Sequence, residues 1–538
     1  MPQPKSVRTA VILLLLSAPL AQAQATHSGQ SLAPQLGQVN FPTTCAAAAQ
    51  PLIETGVALL HSFQYQQADQ TFSEAAQRDP RCALADWGKA MSRYEQLWEF
   101  PSPKTLKRGA EDIRRAQAAN ASSPRERAYI AAAAAFYLAD SKLSETDRLK
   151  TYSASLAALY QQFPDDVNAT AFYALSLVAL AEQQEVDVQP NLKAAIAILA
   201  PLCHAAPNNP GPAHYLIHAT DRPEFASQGL EAARAYAKIA PDSSHALHMP
   251  SHIFVRLGLW QESITSNIAA SASAAKATQE HRSAPHYQFH ALDFLDYSYL
   301  QSGQESKARQ LVQDLASVPG ADRESIAEHQ AWFAARNAFE LHRWKEAAAL
   351  PIPDIPRDSL ESIYRVRAIG AARSGDLDSA RQDLQKFVEI SAEEQRKEHQ
   401  HHADKPVDKS VRQLETEAWV TFAEGKHDEA VKALRTAANR EDADGVDSLA
   451  MPAREMLADM LLELKQLAEA LAEYKSALKN SPNRFDALYG AGHAAQLAGD
   501  SAGANAYFSK LMEISAPSAD RAELAEAKSY LARASKDK

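Results

Sequence analysis

The sequence of 538 residues has little cysteine, little glycine and no excess of positive charge. It contains three cysteines and 18 glycines, and aromatic residues make up only 7% of it. Scarce glycine and aromatics, together with abundant alanine, favour closely packed helices over sheets. The formal net charge of −11 argues against a nucleic-acid partner, because such proteins normally present a basic face.

Long apolar runs are also missing, except near the N-terminus. There, Lys5 and Arg8 precede the apolar run AVILLLLSAPLA, which is followed by small residues. This order is typical of a secretory signal peptide, and the run is too short to span a bilayer. We therefore expect residues 1–25 to be a signal peptide. The mature chain is then exported, periplasmic or secreted, and has no membrane span.

Export changes the expectation for the three cysteines. Cys45 and Cys82 lie 37 positions apart, at the two ends of the first helical unit. In an oxidising compartment they can form a disulfide, and the alternative is two separate buried residues. We predict the disulfide, and we expect Cys203 to be a buried packing residue.

A helical repeat starts at residue 56 with GVALLHSFQYQQADQTFSEAAQRDP. Its small residues recur where two helices must approach closely, and its proline ends the second helix. The small, aromatic and proline positions of this unit are Gly56, Ala68, Phe72, Ala75 and Pro80. The pattern returns near the C-terminus at Ala470, Tyr474, Ala477 and Pro482, with weaker copies between.

This pattern resembles the tetratricopeptide repeat (TPR) over nearly the whole mature chain. The resemblance implies an all-α fold: a right-handed superhelix, or α-solenoid, of roughly ten to twelve helix pairs. Its first helices line a concave groove that holds a protein, a peptide or a small polar ligand. We expect a flexible segment at 26–45, arrays at 46–392 and 411–530, and a tail at 531–538.

A charged, histidine-rich stretch at 393–410 interrupts the repeats. It is either an extended helix end or a loop between the two arrays. His399, His401 and His402 could hold a metal loosely, but a solvated connection is the favoured interpretation.

Histidines recur in register with the repeat. HYLIHATD (214–221) and HMPSHIFVRLG (248–258) place two HxxxH pairs 34 residues apart, at positions expected to face the groove. Residues i and i+4 share a helix face, and neighbouring helices pack about 8–10 Å apart. A third segment, HYQFHALD (286–293), repeats the HxxxHxxD spacing in a less regular register.

These segments predict one shared site for a divalent transition metal: Zn, Cu, Ni or Fe. The expected ligands are His214, His218, His248, His252 and His290, with Asp221 and Asp293 as further ligands or as residues that orient a histidine. Asn267, His245 and His286 are expected to orient them. A metal-free groove for a polar or anionic ligand remains an alternative, as do histidines with purely structural hydrogen bonds.

Two residues near the second pair favour a functional site. Pro250 falls inside an expected helix, where it would cost on the order of 3 kcal/mol unless the helix starts late. Asn267 occupies a repeat position that normally buries an aromatic residue or leucine. A buried amide needs partners, so Asn267 could orient a histidine or cap the carbonyl that Pro250 frees.

Three segments also resemble a narrower group of exported bacterial TPR proteins. They are the opening at 56–90, HYLIHATD and HMPSHIFVRLG. This resemblance implies architecture and export, and it does not imply an activity.

Three functions remain open. The favoured one is an exported binding scaffold with a metal-capable histidine cluster. The alternatives are a metal-dependent enzyme, hydrolytic or oxidative, and a metal carrier. Glu455 and Asp459 form a possible acid–base pair, although an exposed acidic helix face is the favoured interpretation.

Overall fold

The computed structural model describes residues 35–98, 100–183, 188–399 and 409–535. Within these ranges the chain forms 26 α-helices and two short 3-10 helices, with no strand. The predicted signal peptide, His401 and His402 lie outside the described residues. Within the same ranges, no helix is long and apolar enough to cross a membrane.

The first thirteen helices are α1 (Gln50–His61), α2 (Tyr65–Arg78), α3 (Ala83–Met91), α4 (Pro103–Ala118), α5 (Pro124–Tyr137), α6 (Glu145–Gln162), α7 (Val167–Gln183), α8 (Val188–Ala205), α9 (Pro210–Thr220), α10 (Ala226–Ile239), α11 (Ser244–His248), α12 (Pro250–Arg256) and α13 (Trp260–Gln279). The remaining helices are α14 (His286–Gln301), α15 (Glu305–Asp314), α16 (Arg323–Glu340), α17 (Trp344–Ala348), α18 (Glu361–Ser374), α19 (Leu377–His399), α20 (Val411–Ala423), α21 (His427–Asp444), α22 (Ala453–Glu463), α23 (Leu467–Asn480), α24 (Phe485–Leu497), α25 (Ser501–Ile514) and α26 (Glu523–Ala534). The 3-10 helices are Leu315–Ser317 and Asp358–Leu360.

Consecutive helices pack against each other in pairs, from α1 with α2 to α24 with α25. If α11 and α12 are taken together as one interrupted helix, the described residues form twelve pairs, and α26 follows the last. The all-α prediction of roughly ten to twelve helix pairs is therefore confirmed.

Small residues set the distance between neighbouring helices. Phe72 of α2 is fully buried between Gly56 and Gly88. A Cβ atom at Gly56 or Gly88 would come within 2.6 or 2.3 Å of the Phe72 ring. Tyr474 uses the same device, since a Cβ at Gly490 would lie 2.3 Å from its ring. Close packing of an aromatic ring on glycine therefore explains the repeated small positions.

Residues 35–45, the described part of the segment before α1, pack against the helices. Within the described part of this segment, Phe41 is fully buried and stacks on Trp87 with ring centroids 5.6 Å apart. The backbone N–H of Gln38 donates to the carbonyl of Asn208 at 2.8 Å. Burial of an aromatic side chain holds residues 35–45 against the helices.

The structure joins Cys45 and Cys82 by a disulfide, with Cα atoms 4.8 Å apart. The bond ties the segment before α1 to the residue that precedes α3. Cys203 is half-buried rather than fully buried, because it lies near the end of α8.

The stretch 393–410 begins as helix, because α19 continues to His399. The described part of the stretch therefore follows the extended-helix alternative. At the other end, α26 runs past residue 530 into the predicted tail.

The C-terminal helices return to the middle of the chain. Arg484, whose side chain is fully buried, bonds to Glu455 at 2.7 Å and to Glu340 at 2.8 Å. The backbone N–H of Phe485 donates to Gln301 Oε1 at 3.0 Å, and the Trp260 indole donates to the carbonyl of Asn483 at 2.8 Å. These bonds join α24 to α14 and α13.

This packing corrects the exposed acidic face expected at Glu455 and Asp459. Glu455 is fully buried, because Arg484 supplies a bidentate partner for its carboxylate. Asp459 accepts a hydrogen bond from the Tyr474 hydroxyl at 2.5 Å. Both carboxylates serve packing between helices in this arrangement.

We expect Arg484→Ala to lower the free energy of unfolding by about 3–5 kcal/mol, because it leaves Glu340 and Glu455 buried without their cation. Chemical denaturation of the full chain would measure the change. Arg234→Ala is the matched control: Arg234 and Glu262 form an exposed pair, which should contribute no more than about 1 kcal/mol. Equal effects of the two substitutions would contradict the prediction.

Candidate metal centre

Six histidines from four helices converge in two adjacent groups. The first triad is His214, His218 and His245, and the second triad is His248, His252 and His290. Within each triad, the nitrogen atoms that could bind a metal all lie within 4.8 Å of one another. Between the triads, ring centroids are 6.4 Å apart for His218 and His252, and 6.5 Å apart for His245 and His248.

In the first triad, three Nε2 atoms meet. His214 Nε2 lies 3.0 Å from His218 Nε2 and 3.0 Å from His245 Nε2. His214 Nδ1 lies 2.6 Å from the carbonyl oxygen of His61 and must donate to it, because a carbonyl only accepts. In a neutral ring this leaves His214 Nε2 without a proton, and its lone pair points at the Nε2 atoms of His218 and His245.

In the second triad, two rings are oriented in the same manner by different acceptors. His248 Nδ1 donates to Asn267 Oδ1 at 2.7 Å, and His252 Nδ1 donates to Asp221 Oδ2 at 2.8 Å. The amide of Asn267 is itself fixed, since its Nδ2 donates to the carbonyl of Ser263 at 2.9 Å. The two Nε2 atoms then face each other at 3.1 Å.

Asp221 links the second triad to the C-terminal half of the chain. Arg256 donates from Nε to Asp221 Oδ1 at 2.9 Å and from Nη1 to the carbonyl of Val446 at 2.6 Å. Burial opposes ionisation of Asp221, but Arg256 and His252 outweigh it and lower the pKa of this carboxyl. Asp221 is therefore an anion that orients His252.

Burial favours the neutral form of five of the six rings, namely His214, His218, His245, His248 and His290. It lowers the pKa of His218 to about 3, with a further contribution from His252. Burial and neighbouring histidines also hold the pKa values of His214, His245 and His248 well below the ordinary range. Neutral imidazoles are the form that binds transition metals.

Aromatic rings enclose both triads. Phe63 lies 4.4 Å from His214, 5.4 Å from His218 and 5.5 Å from His245 between ring centroids. Phe63 adopts a φ of 52°, in the left-handed region that a non-glycine residue occupies at an energetic cost. Phe294 covers the second triad, 4.8 Å from His248 and 4.5 Å from His252.

Sequence reasoning did not identify Phe63 or Arg256 as parts of the site. Both lie within the segments quoted for the narrower resemblance, in LLHSF and in HMPSHIFVRLG. Their presence in these segments was the sequence feature from which both residues could have been identified. Trp98 also contacts the first triad, with its ring centroid 5.6 Å from that of His245.

The structure resolves the role of Pro250 by dividing the helix. α11 ends at His248 and α12 begins at Pro250, where a missing N–H is tolerated. Met249 between them keeps a helical conformation. The break separates His245 and His248 from His252, and Asn267 bonds to His248 rather than to a carbonyl freed by the proline.

Three predicted residues occupy other places than expected. His245, expected to orient a ligand, is itself a member of the first triad. Asp293 lies on α14 with His290, but its carboxylate pairs with Arg336 at 2.5 Å. His286 packs on Tyr287 with ring centroids 4.0 Å apart. Asp293 is therefore paired with a side chain of α16 and is not a member of either triad.

The side chain of His61 is fully buried and packs outside the triads. Its Nε2 bonds to Asn168 Oδ1 at 2.9 Å and its Nδ1 to the Tyr215 hydroxyl at 3.0 Å. Burial lowers the pKa of His61 to about 4. Its backbone carbonyl orients His214, so the residue contributes to the site through its main chain.

No model of a protein family matches the chain, and no curated protein shows a significant sequence match to it. Among solved structures, it is similar to a tetratricopeptide repeat protein from Parabacteroides merdae ATCC 43184. The identity is 16%, the match covers 54% of this chain and 97% of that one, and the TM-score is 0.31.

We expect Asn267→Ala to weaken Zn²⁺ binding by about 10–100-fold, because His248 loses the acceptor that holds its ring. Isothermal titration calorimetry would measure the affinity. Ser271→Ala, a buried substitution on the same helix, is the control and should leave affinity unchanged. Equal affinities of all three proteins would show that Asn267 does not position a ligand.

We expect Asp296→Asn to stabilise the protein increasingly as pH rises. Asp296 is fully buried, 3.6 Å from Arg336, and burial raises the pKa of its carboxyl to about 8. An unfolded aspartate has a pKa of about 3.9. Between about pH 3.9 and pH 8, Asp296 therefore keeps a proton in the folded state that it loses in the unfolded state. Wild-type stability is therefore lost as pH rises towards 8, by up to about 1.4 kcal/mol per pH unit.

Thermal unfolding at pH 5, 7 and 9 would measure this effect. The difference in Tm between Asp296→Asn and wild type should grow across the series. Asp165→Asn, at an exposed position, is the control and should show no trend. A pH-independent difference for Asp296→Asn would contradict the assignment.

Proposed function

We propose that this protein is a helical-repeat scaffold that binds a divalent transition metal at its histidine triads. One observation carries the proposal: the Nε2 atoms of His248 and His252 face each other at 3.1 Å. Both rings donate from Nδ1, so in their neutral forms neither Nε2 holds a proton.

Two bare lone pairs at this distance repel unless a cation lies between them. A proton would serve, but burial lowers the pKa of His248 and so disfavours a charged ring there. A metal ion serves better, because nitrogen ligands at 2.0–2.1 Å in a tetrahedral site lie about 3.3 Å from each other. The observed 3.1 Å is close to that spacing.

The donor set favours particular ions. Imidazole nitrogen suits Zn²⁺, Cu²⁺, Ni²⁺ and Fe²⁺, whereas Ca²⁺ and Mg²⁺ prefer oxygen ligands. A hydrogen bond from a ligating histidine to a carboxylate, as between His252 and Asp221, is the usual support of a metal site.

A metal-dependent enzyme, hydrolytic or oxidative, is the second candidate. Three histidines from one triad would leave a coordination position open, as catalytic zinc sites do. The exposed side chain of His290 supports access to the second triad. Burial of His214 and His245 supports a retained ion over a freely exchanging one, and therefore favours this candidate over a metal carrier.

The surroundings of the site are part of the same proposal. Stacked helix pairs present extended surfaces, which supports a protein, a peptide or a small polar ligand as the partner of the scaffold. The N-terminal apolar run and the Cys45–Cys82 disulfide support an exported, periplasmic or secreted location.

We expect the purified full chain to bind Zn²⁺, and the double variant His218→Ala/His252→Ala to lose that binding. These two rings are only partly buried, so the helical content should be retained. Calorimetry with Zn²⁺ and metal analysis after dialysis would measure binding, and circular dichroism would measure the fold. The control His204→Ala/His427→Ala removes two exposed histidines outside the triads. Absence of Zn²⁺ binding by wild type, or equal loss in the control, would overturn the proposal.

A further inference from the structure

The two triads are separate sets of donors. Opposite ligands on a single octahedral ion lie about 4.2 Å apart for metal–nitrogen distances near 2.1 Å. Donor atoms within each triad fall within 4.8 Å of one another, whereas the six do not form one such set. One ion therefore cannot use all six histidines without movement of the helices.

Different acceptor groups orient the rings of the two triads. The carbonyl of His61 orients the first triad through His214, and Phe63 packs on all three of its rings. Asn267 and the Asp221 carboxylate orient the second. Each triad thus has its own hydrogen-bonded supports, although α11 carries a histidine of each.

From these observations we infer that the chain binds two metal ions side by side, one in each triad. This inference rests on the proposed function and extends it to a dinuclear centre. The rings of His218 and His252 are 6.4 Å apart, so ions bound to these rings are close neighbours. Each ion keeps a coordination position that its three histidines do not fill, and a small anion such as hydroxide is the class of ligand that would complete it.

The two sites are unequal. The side-chain carboxyl group of Asp221 is hydrogen-bonded to a ligand of the second triad, whereas a peptide carbonyl orients His214 in the first. Replacing the Asp221 carboxylate should therefore weaken ion binding at the second triad and leave binding at the first triad unchanged. Asp221 acts here as a positioning residue, because it supports His252 through Nδ1.

The test is the stoichiometry of Zn²⁺, measured by metal analysis and calorimetry on the full chain. Wild type and His204→Ala are expected to bind two equivalents. His218→Ala and His252→Ala are each expected to bind one, because each breaks a single triad. Asp221→Asn should weaken one equivalent by about 10–100-fold and leave the second unchanged.

Electron paramagnetic resonance of the Cu²⁺-loaded protein supplies a second measurement. Wild type should show the dipolar coupling of two neighbouring ions, and each single-triad variant should show an uncoupled Cu²⁺ signal. His290→Ala, at an exposed position, keeps the test informative if a substitution nearer the interior prevents folding, and should also remove one equivalent.

The inference would be overturned in favour of a single shared ion if wild type bound one equivalent of Zn²⁺ and either His218→Ala or His252→Ala abolished that binding. It would also be overturned if wild type and both variants each bound two equivalents of Zn²⁺, because the ions would then lie outside the triads. Absence of Zn²⁺ from wild type would instead refute the proposed function itself, which is a distinguishable result.

Discussion

Close packing between neighbouring helices is the constraint on which both the fold and the candidate site depend. Glycines at Gly56 and Gly88 let helices approach until an aromatic ring fills the space between them. The long imidazole side chains of α9 and α11 extend towards each other, which brings His214 Nε2 and His245 Nε2 to 3.0 Å. A wider helix spacing would leave the histidines in register but out of reach of a common ion.

Orientation is the second requirement, and three kinds of acceptor provide it. A peptide carbonyl holds His214, an amide holds His248, and a carboxylate holds His252. Each takes the Nδ1 hydrogen and so directs Nε2 inward. Two of these supports depend on distant parts of the chain: His61 lies in the first helix, and Arg256 joins Asp221 to Val446 near the C-terminal helices. The return of the C-terminal half to α14 therefore also stabilises the site.

The three quoted segments at 56–90, 214–221 and 248–258 meet at the triads. This explains why the first of them contains His61 and Phe63, which contribute a carbonyl and a ring to the site. Phe63 holds a left-handed conformation in the turn after α1, as His342 and Lys465 do in the turns after α16 and α22.

Much of the architecture was predictable from sequence because it depends on local spacing. Small residues, an aromatic and a proline at repeat intervals predict paired helices, and histidines 34 residues apart predict that equivalent side chains lie on neighbouring helices. Residues between repeats were harder to assign. His245 was assigned a supporting role because it lies outside the HxxxH pairs, and the helix break at Pro250 was visible only as a local conflict.

The sequence by itself determined the helix pairs, their approximate number and the recurrence of histidine, because these follow from periodicity along the chain. Only the tertiary structure decided that the histidines form two triads, that Asp293 pairs with Arg336, and that Glu455 is buried against Arg484. These outcomes depend on which distant side chain reaches each face of a helix. Spacing within one repeat carries no information about that partner.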